Sequence, residues 1–158
     1  MTRKRYQVIP RVLCFLEYDD NVLLIRRARH KQLWPNLYNG VGGHVEPGET
    51  VLEAAQREIH EETGLHVKGL DLQAVIHVDR EGQDAGILLF VLRGQPNKTA
   101  LRSSPEGTAR WVRKRDIFKL DVVSDLPWLL PYLWALPPSA PPLFLRSHED
   151  RLGNVTPA

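Results

Sequence analysis

The chain contains very little cysteine: of its 158 residues only Cys14 carries a thiol. One cysteine cannot form a disulfide within the chain, and it excludes metal sites built from several thiolates. Cys14 lies in an apolar run, so we expect it to fill the core. Chains that lack disulfides are typical of reducing compartments, and we therefore predict a cytoplasmic protein.

The sequence also lacks a long apolar segment. A helix needs about 20 consecutive apolar residues to span a bilayer, and no segment of this chain has them. The basic start followed by apolar residues has the composition of a signal peptide, but Pro10 and Arg11 interrupt the apolar run. We expect no membrane partner.

Charge of the two signs is nearly balanced, with a formal net charge of +2. This excess is too small to indicate a stable nucleic-acid partner, and it is compatible with a small anionic substrate. The sequence contains no internal repeat, Walker phosphate loop or nucleophile elbow. At 42% apolar residues, a chain of this length suits a single domain over residues 1–158.

Apolar runs in the sequence predict a sheet. The predicted strands are residues 11–18, 22–25, 65–78, 85–92, 105–112 and 143–146. Residues 85–92 are the most apolar of these runs, which is typical of a strand in the middle of a sheet covered on both faces. Residues 126–136 predict a helix packed on the sheet. The tail from about residue 147 gives no clear signal and is a candidate for disorder.

A second helix is predicted between two sets of end signals. Thr50 and Glu53 have the spacing of a capping box, so the helix should begin at Thr50. Gly64 follows the last polar turn and should end the helix. The helix is therefore expected to occupy about residues 50–63.

Three acidic residues of this helix share one sector of its surface. At about 100° per residue, Glu58, Glu61 and Glu62 converge. Like charges at this spacing destabilise a helix by roughly 0.2–0.5 kcal/mol per pair, whereas Mg²⁺ is commonly held by carboxylates together with substrate phosphates. The pattern indicates either a solvated acidic face or a site for a divalent cation.

The surrounding residues 43–65 resemble the Nudix box, Gly-x5-Glu-x7-Arg-Glu-U-x-Glu-Glu-x-Gly-U, in which U is aliphatic. Every fixed position is met, namely by Gly43, Glu49, Arg57, Glu58, Ile59, Glu61, Glu62, Gly64 and Leu65. The resemblance implies an α/β Nudix fold: an α/β/α sandwich with a mixed central β-sheet and a loop-helix-loop catalytic motif.

The resemblance also implies a metal site. The positions matching Glu58, Glu61 and Glu62 bind Mg²⁺ or Mn²⁺ in the family, together with the backbone carbonyl of the glycine matching Gly42. The positions that match Glu49 and Arg57 form an ion pair, which braces the helix against its loop.

The run Tyr38-Asn39-Gly40-Val41-Gly42-Gly43 resembles that of the MutT-type oxidised-purine nucleoside triphosphatases. In those relatives the residue matching Asn39 hydrogen-bonds the purine, and the alternative is an ordinary Asn-Gly turn. Glycines such as Gly43 let the backbone approach a ligand closely. Two departures, Tyr38 in place of tryptophan and His44 in place of lysine, weaken the assignment to this subgroup.

Two more acidic residues are candidates by resemblance. Glu106 lies five residues before Trp111, where relatives often carry a carboxylate that joins the metal cluster or acts as base; its alternative is a turn residue. Asp125 falls where MutT-type relatives carry an acidic residue that reads the purine edge, and its alternative is a helix N-cap.

The sequence thus predicts a Mg²⁺-dependent hydrolase that cleaves a nucleoside triphosphate, with 8-oxo-dGTP a candidate, to the monophosphate and pyrophosphate. Glu61, Glu62 or Glu106 would remove a proton from the attacking water. Alternatives are another nucleoside diphosphate derivative, such as ADP-ribose or a dinucleoside polyphosphate, a non-catalytic nucleotide-sensing module, and a protein-interaction module. The expected partner is a small nucleotide, and the expected state is a monomer or homodimer.

Overall fold

The longest strand, β1, organises a mixed sheet in the computed structural model, which describes residues 3–32 and 34–158. The strands are β1 (Gln7–Tyr18), β2 (Asn21–Arg27), β3 (Tyr38–Asn39), β4 (Val41–His44), β5 (Leu70–Arg80), β6 (Ala85–Gly94), β7 (Gly107–Arg113), β8 (Leu143–Glu149) and β9 (Val155–Pro157). The helices are α1 (Val51–Thr63) and α2 (Leu126–Trp134), with a short 3-10 helix at Lys114–Lys119.

The strand order is β3-β2-β1-β6-β5-β8-β9, with β4 paired to β1 and β7 paired to β2. β1 runs parallel to β6 and β5 runs parallel to β8, while the other pairs are antiparallel. The most apolar run of the sequence is β6, between β1 and β5 as predicted.

Each helix covers one face of this sheet. One buried cluster joins α1 to residues such as Val12, Cys14 and Leu16 of β1. The other joins α2 to Leu13 and Phe15 of the same strand. Side chains alternate between the two faces of a strand, so a strand buried on both reads as a continuous apolar run. The predicted α/β/α arrangement is confirmed.

The ends of α1 lie where the sequence placed them. Thr50 Oγ1 accepts a hydrogen bond from the backbone N–H of Glu53, and the Glu53 carboxylate accepts one from the N–H of Thr50. Gly64 ends the helix with a φ of +79°, a left-handed conformation that favours glycine.

The C-terminal tail differs from the prediction of disorder. β8 continues to Glu149, and β9 pairs with it in an antiparallel hairpin. The turn is held by Asp150, whose Oδ1 accepts hydrogen bonds from the N–H groups of Leu152 and Asn154 at 2.8 and 2.9 Å. The prediction of a strand ended at residue 146 because residues 146–151 are all polar and give no apolar signal.

Smaller differences concern element ends. β1 begins at Gln7 rather than residue 11, because its pairing with β6 starts at Gln7 and Ala85. β5 begins at Leu70 rather than residue 65. α2 ends at Trp134 rather than residue 136. Neither of the two α-helices in the described part of the chain is long and apolar enough to cross a membrane.

Candidate functional site

The acidic face of α1 packs directly against β4. A Cβ on Gly43 would meet the carboxylate of Glu58, which would have to move aside. A Cβ on Gly42 would likewise collide with the carbonyl oxygen of Val12 on β1. The two adjacent glycines therefore let loop, strand and helix approach one another closely.

Arg57 is the hub of the charged network. Its Nη2 donates to Glu49 Oε2 at 3.1 Å and to the His44 carbonyl at 3.0 Å, and its Nε donates to Glu49 Oε1. Its Nη1 donates to Glu58 at 2.9 Å and to Glu61 at 3.3 Å. The hydrogen bond from Arg57 lowers the pKa of Glu49. The guanidinium thus ties the loop before the helix to the acidic face.

Glu62 is the most deeply placed acid of α1, with a relative exposure of 7%. Burial raises the pKa of Glu62 to about 8, and the negative charges of Glu58 and Glu106 add to the effect. A hydrogen bond from the backbone of Gly42 acts in the opposite direction. Its Oε2 is buried and has no hydrogen-bond partner among the described residues. Burial also raises the pKa of Glu58.

These residues fit a hard divalent cation. Among residues 3–32 and 34–158 no three His, Cys, Asp or Glu side chains form a ready-made metal cage. Glu61 is the outlying acid, because its side chain is 57% exposed and bonded to Arg57. The orphaned oxygen of Glu62 and its charge repulsion with Glu58 nevertheless leave a site that a cation would complete, and the oxygen donors are those that Mg²⁺ and Mn²⁺ prefer.

Glu106 lies beside this acidic face, on the loop before β7. Its Oε2 is 2.7 Å from Lys31 Nζ, and its backbone carbonyl accepts a hydrogen bond from the N–H of Ala28. Its charge acts on both Glu58 and Glu62. The structure therefore brings the candidate from residues 105–112 to the acids of α1, paired with a lysine from the loop after β2.

A cleft begins at these acids and runs between the sheet and α2. Gly42, Gly43, Glu62 and Glu106 line one end, which we call the mouth. Asn39 also lines the cleft, although its Oδ1 accepts a hydrogen bond from the Gly40 N–H at 2.8 Å. Asn39 thus makes the hydrogen bond expected of an Asn-Gly turn and also lines the cleft.

Asp125 lies at the other end of the cleft, just before α2. Asp125 is the N-cap residue of α2, as the alternative expected, but its side chain makes no capping hydrogen bond. Burial raises the pKa of Asp125, the charge of Glu149 raises it further, and the charge of Arg11 lowers it. The carboxylate belongs to the cleft rather than to the helix end.

Several residues that line the cleft were missed from the sequence. They are Arg11, Arg27, Trp34, Trp128, Ser147 and Glu149. The one available signal was Arg11, a charged residue inside an apolar run. Trp34 has a left-handed backbone, with a φ of +51°, which is rare for a bulky side chain and has no sequence signal. Arg27 stacks near it, with its guanidinium carbon 5.9 Å from the indole centre.

The sequence is similar to a known protein family and to several named relatives. Residues 8–131 match the NUDIX domain family. A relative named NAD-capped RNA hydrolase NudC, from Edwardsiella ictaluri, is 41% identical over 70 residues, covering 43% of this chain and 26% of the relative. The human protein named 8-oxo-dGDP phosphatase NUDT18 is 36% identical over 95 residues, covering 60% of this chain and 27% of that protein. The chain thus spans about a quarter of these relatives' length.

The fold has close structural neighbours. The crystal structure of a MutT protein from Bacillus halodurans superposes with a TM-score of 0.75 over 94% of both chains, at 24% identity. At that identity the likeness shows the fold alone. Because the family match extends over most of the sequence, the chain belongs to the NUDIX domain family.

Proposed function

We propose that the chain hydrolyses a nucleoside triphosphate to the monophosphate and pyrophosphate, with Mg²⁺ or Mn²⁺, and that 8-oxo-dGTP is among its substrates. The observation that carries the proposal is the buried, unpartnered oxygen of Glu62 at the mouth of a cleft. A cation with the phosphates would occupy the mouth, and the base would enter the cleft behind it.

The residues of the mouth have separable roles in this proposal. Glu58, Glu61 and Glu62, with the Gly42 carbonyl, would hold the metal, which when bound neutralises phosphate charge and lowers the pKa of water. Glu61, Glu62 or Glu106 would take the proton from the attacking water. Arg57 would position the acids without touching substrate, since its bonds go to them and to the loop.

Other substrates share the same chemistry. Relatives are named for NAD-capped RNA and for 8-oxo-dGDP, and each of these contains a nucleoside diphosphate. ADP-ribose and dinucleoside polyphosphates are therefore the alternatives within the family. A non-catalytic sensing module is less well supported, because the acids of the Nudix box are intact. The cytoplasmic location and the monomer or homodimer state stay predictions.

The test is a panel of nucleotides with the purified protein and Mg²⁺, with products identified by chromatography. It contains dGTP, 8-oxo-dGTP, dATP, ADP-ribose and diadenosine tetraphosphate. We expect the triphosphates to give monophosphate and pyrophosphate. Glu58→Gln should abolish most of that activity, and Glu53→Gln on the same helix should not, because glutamine preserves a capping box. Release of orthophosphate, or no hydrolysis of any triphosphate, would contradict the proposal.

A further inference from the structure

The part of the cleft lined by Arg11, Ser147 and Glu149, which we call the far end, is built on the α2 face of four neighbouring strands and adjoins the mouth, since Arg11 pairs with His44 beside Gly43. Strand register places Arg11 of β1 beside Leu89 of β6, which lies opposite Ile76 of β5. Ser147 of β8 lies beside Val78 of β5, one step further along the same face. Glu149 follows two residues later and therefore points to the same side. All of these residues line the cleft.

The three polar side chains of this group make no hydrogen bond to any described residue, although the charges of Arg11 and Glu149 attract each other. Ser147 is fully buried, with a relative exposure of 0%, and its Oγ makes no hydrogen bond to the described part of the chain. The side chains of Arg11 and Glu149 are half-buried and likewise make no hydrogen bond or ion pair with residues 3–32 and 34–158. Buried polar groups are nearly always bonded, so the unbonded hydroxyl of Ser147, with two half-buried charged side chains lining the same cleft, indicates a ligand.

Their surroundings suit a flat, heterocyclic ligand. Ile76, Val78, Ile87 and Leu89 form an apolar floor, and Trp128 lies at the same end. A planar aromatic base would bury its faces against such walls, while its edge would meet the polar groups.

The polar groups match one class of base. Arg11 can only donate, Glu149 accepts when ionised, and Ser147 can do either. Guanine presents the acceptors O6 and N7 on one side and the donors N1–H and N2–H₂ on the other, and arginine pairs well with O6 and N7. Adenine presents a donor at position 6 in place of O6, which would oppose the guanidinium.

We propose that Arg11, Ser147 and Glu149 read the edge of a 6-oxo purine, so that this site selects guanine-type over adenine-type nucleotides. The inference rests on the proposed function for the position of the phosphates at the mouth. Asp125 adds a carboxyl group to the same cleft, and burial raises its pKa. Selectivity arises because adenine would leave these buried groups unpaired.

The first test compares kcat/KM for dGTP and dATP. The wild-type chain should prefer dGTP at least tenfold, and Arg11→Met should reduce that preference to about threefold or less. Arg146→Met is the matched control, since Arg146 lies next to Ser147 on β8 but points to the opposite face and is paired with Asp79. It should leave the ratio unchanged. An unchanged ratio in Arg11→Met would overturn the inference.

Ser147→Ala distinguishes recognition from a structural role. Removing a buried hydroxyl that has no partner should raise the melting temperature, whereas kcat/KM for dGTP should fall about fivefold. A structural serine would lose stability and activity together, and that result would contradict the inference. This variant also decides the matter if Arg11→Met does not fold.

The binding of nucleosides, which carry no phosphate, tests this inference independently of the proposed function. Guanosine and adenosine are titrated into metal-free protein, with tryptophan fluorescence as the signal because Trp34 and Trp128 line the cleft. Preferential binding of guanosine that Ser147→Ala weakens supports the reading site even if no triphosphate is hydrolysed. Hydrolysis without any base preference would leave the proposed function intact and overturn the reading site.

Discussion

The two ends of the cleft are organised in opposite ways. Beside the mouth, the guanidinium of Arg57 already pairs with Glu58 and Glu61 of α1 and with Glu49 of the preceding loop, while in the mouth itself Glu62 Oε2 has no partner among the described residues. At the far end, Arg11, Ser147 and Glu149 make no hydrogen bond or close ion pair within the described part of the chain. The comparison indicates that the ion pairs of Arg57 support the acidic face before any ligand binds, whereas the far end lacks such support and, in the proposal above, is completed by the base whose selectivity it sets.

The largest predicted effect breaks the mouth alone. Glu62→Gln keeps the shape of the side chain and removes its charge, so turnover should fall about 100-fold or more, or about 2.7 kcal/mol in activation free energy. The loss should be the same for dGTP and dATP, because the far end is intact. Steady-state kinetics at saturating Mg²⁺ measures both. A selective loss for one base would erase the distinction between the two ends.

A second variant removes the hub of the mouth. Arg57→Met leaves the loop carbonyl of His44 and three carboxylates without their shared donor. The free energy of unfolding should fall by roughly 2–4 kcal/mol, because charged hydrogen bonds are lost in a half-buried site. Urea denaturation measures the change. Arg57→Lys should lose less, since it keeps the charge but not the forked geometry; equal losses would argue against the hub.

The helix and its acids could be predicted because they are local. Capping residues, a turn of 3.6 residues and the fixed spacing from Gly43 to Leu65 all lie within one segment. Their convergence on Gly42 and Glu106 follows once α1 packs on β4. The buried strand β6 could be predicted equally well, because a continuous apolar run indicates a buried strand even when its neighbouring strands are unknown.

The far end could not be predicted in the same way. Ser147 and Arg11 are separated by most of the chain and meet only through the register of β1, β6, β5 and β8. A slip of one residue would turn each side chain to the opposite face, and no local pattern fixes that register. β9 and the part of β8 beyond residue 146 were missed for the same reason, since β8 is ordered by pairing with β5 and β9 by pairing with β8.

The pH dependence of stability gives a third, intermediate effect. The folded pKa of Glu62 is about 8 against an ordinary value of 4.5, so between these values the folded chain holds a proton that the unfolded chain releases. Its contribution to stability is therefore present at low pH and is lost as the pH rises towards 8. In metal-free buffer at pH 9, Glu62→Gln should be more stable than wild type by at least about 1.4 kcal/mol, the worth of one pKa unit.

The measurement is thermal or urea unfolding of both proteins at pH 5 and pH 9. The difference between them should be larger at pH 9. If the stability of the wild type and of Glu62→Gln changed equally between pH 5 and pH 9, that result would contradict a buried, destabilised carboxylate at the mouth.

The smallest predicted effect concerns the rim of the mouth. The ion pair of Lys31 with Glu106 is partly exposed, with side-chain exposures of 25% and 47%. Lys31→Met should change the free energy of unfolding by less than about 1 kcal/mol, as is typical of surface ion pairs. Urea denaturation checks this against the loss in Arg57→Met. A comparable loss in the two variants would show that the support of the mouth is not concentrated in Arg57.

The most direct test of the central claim is the binding of Mn²⁺ to wild type, Glu62→Gln and Glu53→Gln, followed by electron paramagnetic resonance without nucleotide. The account predicts that wild type and Glu53→Gln bind the ion equally, and that Glu62→Gln binds it at least tenfold more weakly. Equal affinity in all three proteins would contradict a metal site on the acidic face of α1.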